Sequence, residues 1–350
     1  MKPSAELTAM LEALEAAIDP ATEDALIAQW LDFSHGKTSR SELFSPRRDK
    51  AITIEAFPHI LINHAMEDYN LMARREFESC VHTLRSGGGA VMNTRSNYST
   101  STVMSLFDVE MFYLDDRNDT LPTSYALKDW KTTAKAALEG GIDINRNLCR
   151  KVFEMGEFFR EVMKPYPKVA KYIGVYHPDF QGPFDIAEVL IGSGIFYELY
   201  DEPDLLKDFL DLLTTTYIRL MNHWESIYPY NGTWSKHWGF VHLGNLMLRD
   251  DSAMNLSPAL FEEFVAPYDM RLLAELGGGA VHFCGRGDHY IKYLTENYPQ
   301  LYAINMSQPH LNDMNVIMEN TIDKDIKLVA FSRDAALQFA GRENIGCINV

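Results

Sequence analysis

The stretch richest in chemically capable side chains is Gly277–His289, GGGAVHFCGRGDH. On a strand, residues two apart point to the same face, so a strand over Ala280–Cys284 sets His282 and Cys284 side by side. Imidazole and thiolate are both good ligands for Zn²⁺. Gly285 and Gly287 let the chain turn sharply, and Asp288 is placed to cap a helix over Tyr290–Asn297. The competing reading is a plain core strand, because free cysteine is usually a small buried hydrophobe. A strand that only packs has no need of His, Cys, Arg and Asp within eight residues.

Other loops carry a similar load. Arg95 and Tyr98 follow an expected strand over Ala90–Thr94. His177, Asp179 and Gln181 follow a short strand over Ile173–Tyr176, in a loop stiffened by Pro178 and Pro183. Asp185 in that loop reads either as part of a site or as the cap of a helix over Ile186–Ile191. Arg249, Asp250 and Asp251 follow the Trp234–Met247 segment, Asn305 ends a strand over Tyr302–Asn305, and Arg333 follows one over Lys327–Phe331. Arginines at such positions are natural anion clamps, and Asp179, Asp250 and Asp251 are candidate proton donors or acceptors. This makes Arg95, Tyr98, Asp179, Asp250 and Asp251 the candidate catalytic residues. His177, Gln181, Arg249, Arg286, Asn305 and Arg333 are the candidate substrate contacts.

The elements that must hold these residues alternate. Apolar periodicity predicts helices over Glu6–Ile18, Thr22–Phe33, Ile60–Leu84, Asn147–Met163 and Glu202–Tyr228. Ser257 with Pro258 opens another, and a strand is expected over Glu110–Leu114 and over Ile345–Val350. Repeated strand–loop–helix units imply parallel strands, and their number suits a (β/α)8 barrel with reactive residues at the strands' C-terminal ends. Residues 1–45 read as an N-terminal helical extension and 46–350 as the barrel. An open doubly wound sheet is the runner-up, but no Gly-x-Gly-x-x-Gly follows an early strand.

Composition narrows the partners. The chain has 350 residues, 46% hydrophobic and 23% charged, as in a packed protein. Its 49 acidic residues against 32 basic give a net charge of -17, a poor match for nucleic-acid backbones or anionic membranes. The first residues lack a signal peptide's basic and apolar regions, and no apolar run is long enough to span a bilayer. Four sparse cysteines suit a reducing cytoplasm. A small-molecule substrate is expected, and the N-terminal helices make a homodimer contact reasonable.

The segment LRDDSAMNLSPALFEEFVAPYDMRLLAELGGGAVHFCG resembles the uroporphyrinogen decarboxylase superfamily. The resemblance rests on Asp250-Asp251, on Ser257-Pro258, on Phe264-Val265-Ala266-Pro267-Tyr268 and on His282-Phe283-Cys284-Gly285. It is specific over Arg249–Arg286 and looser from Ile173 onward. It implies a (β/α)8 barrel and one of two chemistries. The first is zinc-dependent methyl transfer between a corrinoid or folate-type donor and a thiol, with His282 and Cys284 as metal ligands and Cys347 as the third. In that case a corrinoid protein is a partner, and Asp250 or Asp251 orients His282. The second is metal-free decarboxylation, in which arginines clamp the substrate's carboxylates. The decarboxylases' Arg-rich Gly-Arg-Tyr loop has no counterpart here, so the expectation falls on the methyltransferase. A lyase or a non-catalytic tetrapyrrole-binding or corrinoid-binding barrel is the alternative.

Overall fold

The structure, a computed structural model, describes residues 2–350. The strands in chain order are β1 (Asn93–Thr94), β2 (Met111–Phe112), β3 (Thr123–Ser124), β4 (Gly174–Val175) and β5 (Trp234–His237). They continue with β6 (Phe240–Leu243), β7 (Leu246–Arg249), β8 (Gly279–Phe283), β9 (Leu301–Met306) and β10 (Lys327–Leu328). β7, β8, β9 and β10 form one parallel sheet, joined through helices. β1 and β4 form a parallel pair, while β2 with β3 and β5 with β6 pair antiparallel. The architecture is therefore mixed α/β with parallel sheets. Among the described residues no helix is long and apolar enough to cross a membrane.

Register decides which side chains meet. Arg249 lies opposite His282, and His282 opposite Asn305. Neighbours in register point to one face, so these three stand abreast at the C-terminal ends of β7, β8 and β9. Two residues earlier on the same face come Met247, Ala280 and Ala303, which pack with Trp30, Phe33, Phe44, Phe240 and Val241. The opposite face carries Leu246, Leu248, Val281 and Ile304 into the larger core under the helices. The strands are thus buried on both faces, as parallel strands usually are.

Several boundaries differ from the sequence reading for local reasons. The long helix expected over Ile60–Leu84 is two helices, Ile62–Ala65 and Tyr69–Ser86, because the Asp68 carboxylate accepts from the Asn70 and Leu71 amides and starts a new turn. Trp234–Met247 is a hairpin followed by β7, with left-handed Gly239 (φ 87°) and Gly244 (φ 78°) at its turns. The Glu110–Leu114 strand shrinks to a two-residue surface pair with exposed Tyr113. The last strand shrinks to single bridges, Leu328 with Ile348 and Phe44 with Asn349, after a short turn over Ile345–Cys347. Ser257 does cap Pro258–Phe264, accepting from the Leu260 amide. Asp288 does not cap the Ile291–Asn297 helix; its carboxylate accepts from Arg286 and from the Asp313 amide instead.

The N-terminal helices are not an appendage. Leu7, Leu11 and Leu14 of Ala5–Ala17 join the main core, and Trp30 and Phe33 of Pro20–Ser34 lie in the cluster beneath Met247 and Ala280. Trp30 donates its indole N–H to the Gly89 carbonyl. Their apolar stripes are buried inside the chain.

Candidate metal centre

At the ends of β7 and β8, Asp251, His282 and Cys284 bring one ligand atom each within 4.8 Å of one another. His282 Nε2 lies 3.4 Å from Asp251 Oδ1 and 3.4 Å from Cys284 Sγ. Zinc bonds of roughly 2.0–2.3 Å at tetrahedral angles set ligand atoms about 3.3–3.8 Å apart. Both separations fall in that interval, and the Asp251 and Cys284 ligand atoms lie within 4.8 Å of each other, so the donor set is one that could hold such an ion. The Asp251 side chain is 42% exposed, which leaves an approach from solvent.

The surroundings fix the imidazole. Its Nδ1–H donates to Asn305 Oδ1 at 2.6 Å, and Asn305 Nδ2 donates to the Val329 carbonyl at 2.8 Å. The carbonyl settles which end of the amide is nitrogen, and the amide oxygen settles that Nδ1 holds the proton. Nε2 is left to face Asp251 and Cys284, the usual arrangement behind a metal-bound histidine. Burial alone would lower the His282 pKa, but Asp251 and Cys284 outweigh it and push it up to about 10. Burial would likewise raise Asp251, yet His282 and the Cys284 backbone amide hold its carboxyl below the usual range. The site is built to hold positive charge.

The loops are held by side chains that the sequence left in other roles. Asp185 accepts from the backbone amides of Asp251 and Ser252, both at 2.8 Å, so it positions Asp251; the cap of Pro183–Ile191 is Gly182. Asn312 accepts from the Gly287 and Asp288 amides and donates to the Gly285 carbonyl. Gly285 sits at φ 74° with Met254 so close that a Cβ would lie 2.2 Å from its sulfur.

A second polar group adjoins the first. Asp179 accepts from Arg95 Nη1 at 2.7 Å and from Gln181 Nε2 at 2.8 Å, and lies 2.6 Å from Arg249 Nε. Burial pushes the Asp179 pKa up, but Arg249 and Arg95 together hold it low, so it is a carboxylate. Arg249 Nη2 also donates to His237 Nε2 at 2.9 Å. The Trp238 ring lies 4.9 Å from the Arg249 guanidinium and 5.0 Å from the His282 ring, joining the two groups. His237 and Trp238 had no marked role in the sequence; their place follows from the hairpin, which no local pattern announced.

Several sequence candidates stand elsewhere. Cys347 is buried with its sulfur 3.2 Å from Lys327 Nζ and 3.9 Å from Asp325. Lys327 pairs with Ala303, two residues before Asn305, so Cys347 belongs to the other end of the strands; Asp251 is the third side chain gathered beside His282 and Cys284. His177 donates Nδ1–H to the Pro178 carbonyl and accepts the Met247 amide at Nε2, so both nitrogens are used in structure. Asp250 is turned into the buried layer with Asp185 and Asp269, where burial and these neighbours hold its pKa well above the usual range. Tyr98 is packed in the core beside Tyr69. Asn305 orients His282. Arg286 pairs with Asp288 at the surface, and Arg333 is exposed at the start of Arg333–Leu337.

No protein-family model matches this chain, and no curated protein matches it either.

Proposed function

We propose that this chain is a zinc-dependent methyltransferase built on a (β/α)8 barrel, moving a methyl group from a corrinoid or folate-type donor to a thiol or similar acceptor. The observation that carries the reading is the convergence of Asp251, His282 and Cys284, whose ligand atoms lie within 4.8 Å of one another with an open side. When bound, zinc would hold a substrate thiol as its thiolate in the fourth position. The Asp251 carboxylate and the Cys284 thiolate together offset the charge of a divalent ion, so an added thiolate keeps excess negative charge and with it nucleophilicity. Asn305 keeps the imidazole in register. Arg95 and Arg249 flank Asp179 beside the site, with Glu76 also acting on Arg95, and their guanidinium groups suit an anionic group on the substrate.

The barrel is supported by adjacencies beyond the four-stranded sheet. Ile348 bridges to Leu328 of β10, Asn349 to Phe44, and Arg47 to Gly88 ahead of β1. On the other side, β4 pairs with β1, and the loop after β4 reaches β7 where the Gly182 amide donates to the Arg249 carbonyl. The donor reading follows the sequence resemblance. A reducing compartment such as the cytoplasm suits four free cysteines. Decarboxylation draws less support, since Asp179 is locked as a carboxylate between arginines and Asp250 is buried away from them.

A second reading is favoured by one feature. Asn305 Oδ1, His282 and Cys284 Sγ follow one another in the order of a Cys–His–Asn nucleophile, with no metal needed. Elemental analysis separates the two. Protein purified without chelator or histidine tag is expected to hold about one zinc per chain, as a three-ligand catalytic site does. His282→Ala, Cys284→Ser and Asp251→Asn are expected to lose it. Absence of metal, together with no uptake of added zinc and fast alkylation of Cys284 by iodoacetamide, would overturn the methyltransferase in favour of the thiol nucleophile.

A further inference from the structure

A cavity of ligand size lies away from the metal centre. About 710 Å³ lies between the C-terminal ends of the helices Asn147–Met163 and Pro203–Ile227, the short helix Pro167–Tyr172, and strand β5. Its volume is that of a small-ligand pocket. Its body is aromatic, with Trp224, Tyr228, Tyr230 and Trp234 in the wall, and its inner end is formed by Tyr176 and His237.

The charges around it reverse those of the chain. Arg160, Lys164, Lys171 and Lys236 line the cavity against one carboxylate, Glu161, in a protein of net charge -17. Arg160 is partnered by Glu161 and Lys171 by Asp24. Lys236 is different. Its ammonium donates to the Tyr172 carbonyl at 2.6 Å, and no carboxylate lies within ion-pair reach of it among the described residues. Burial pushes its pKa down to about 8, although the Glu23 carboxylate, beyond ion-pair distance, acts in the opposite sense. Polar atoms of the same wall also lack partners among the described residues: the Tyr228 and Tyr230 hydroxyls, Asn245 Oδ1 and His237 Nδ1. Because Arg249 can only donate to His237 Nε2, it is Nδ1 that carries the hydrogen, a buried donor with no acceptor.

We infer that this cavity is a second binding site, for a small aromatic carboxylate whose ring packs on the tryptophan and tyrosine wall and whose anionic end neutralises Lys236. An aromatic body explains the wall, and a carboxylate supplies the counter-ion that Lys236 lacks. A neutral aromatic leaves Lys236 uncompensated, and a small inorganic anion leaves the rings unused. The inner wall meets the metal-centre side through Tyr176, His177 and His237 and not through Asp251, His282 or Cys284, so the site stands whether or not the metal reading holds.

The test is titration of the full-length, zinc-supplemented protein with 2-naphthoate, followed by calorimetry and by the fluorescence of Trp224 and Trp234. The neutral 2-naphthalenemethanol serves as the comparison. One saturable site is expected, with the carboxylate binding at least tenfold tighter than the alcohol. Lys236→Met is expected to abolish that preference while leaving the alcohol's affinity in place. Lys164→Glu, at the exposed rim, is expected to weaken the carboxylate several-fold and covers the case in which Lys236→Met does not fold. Equal affinity of acid and alcohol, no saturation of either, or binding indifferent to the substitution that folds would each overturn the assignment.

Discussion

His282 carries the most meaning of any single residue, and its tautomer is the reason. The Asn305 amide is held by the Val329 carbonyl, so its oxygen must face Nδ1, and Nε2 must face the carboxylate and the thiol. Asn305→Ala removes the orienting acceptor without touching a ligand atom. Loss of such a supporting contact typically costs about 10–100-fold in metal affinity. The expected outcome is that much weaker zinc binding in competition with a chromophoric chelator, with Cys347→Ser unchanged because its sulfur sits beside Lys327. Unchanged affinity in Asn305→Ala would remove Asn305 from the site. The pair His282 and Cys284 was legible because two residues on one strand face share a direction by geometry alone. The third member of the cluster was not, because choosing Asp251 over Cys347 depends on which end of the strands each residue occupies, and the neighbour's register sets that.

Among the elements, β7 and the loop beside it decide whether Asp251 arrives. The Gly182 amide donates to the Arg249 carbonyl, and the glycine packs so tightly that a Cβ there would lie 2.5 Å from Asp250 Oδ1 and 2.7 Å from the Arg249 carbonyl oxygen. Gly182→Ala must therefore push the loop and the end of β7 apart. Overpacking of this kind costs about 1–3 kcal/mol. Urea unfolding is expected to show that loss, and zinc affinity to fall with it because Asp251 follows the displaced segment. A variant as stable as the parent with full zinc binding would show that the contact does not position the site. The strand–loop–helix alternation was readable from periodicity and from Ser257-Pro258. The β5–β6 hairpin was not, since its turns rest on left-handed glycines within a segment whose apolar pattern runs straight on into β7. With the hairpin unseen, Trp238 and His237 had no assignable neighbour. The split at Asp68 was hidden for a related reason, because a single capping carboxylate interrupts an otherwise continuous helical stripe.

At the scale of the whole molecule, the chain's acidity and its apolar content were plain from composition, while the inclusion of the first two helices in the core was not, because an amphipathic stripe does not name what covers it. The same scale holds a balance of buried titratable groups. Burial lowers His177 to about 3 and His242 to about 4, and it holds His237 well below its ordinary value. Burial raises Asp185 to about 7 and Asp269 to about 8, with Asp250 also well above the usual range. The histidines are neutral when folded and protonated when unfolded below about pH 6.5, so their contribution is present above that pH and lost as the pH falls. The carboxyls are protonated when folded and ionised when unfolded above about pH 4, so theirs is present at low pH and lost as the pH rises through the folded values. Between about pH 4 and 6.5 the two sets oppose each other, and stability should change little with pH. Above about pH 6.5 these histidines no longer oppose the carboxyls, and stability should fall by up to about 1.4 kcal/mol per unit for each carboxyl that stays protonated. In metal-free protein His282 adds to the same decline, since its pKa is raised to about 10. Urea unfolding of metal-free protein at pH 6.5 and 8 tests this, with Asp269→Asn alongside. Asn cannot ionise and can still accept from the Tyr298 hydroxyl, which lies 2.8 Å from Asp269 Oδ2 in the parent. The parent is expected to lose stability over that interval and the variant to lose distinctly less. A parent that gains stability, or a variant with the parent's slope, would mean that the carboxyl layer under Asp251 is already ionised in the folded protein.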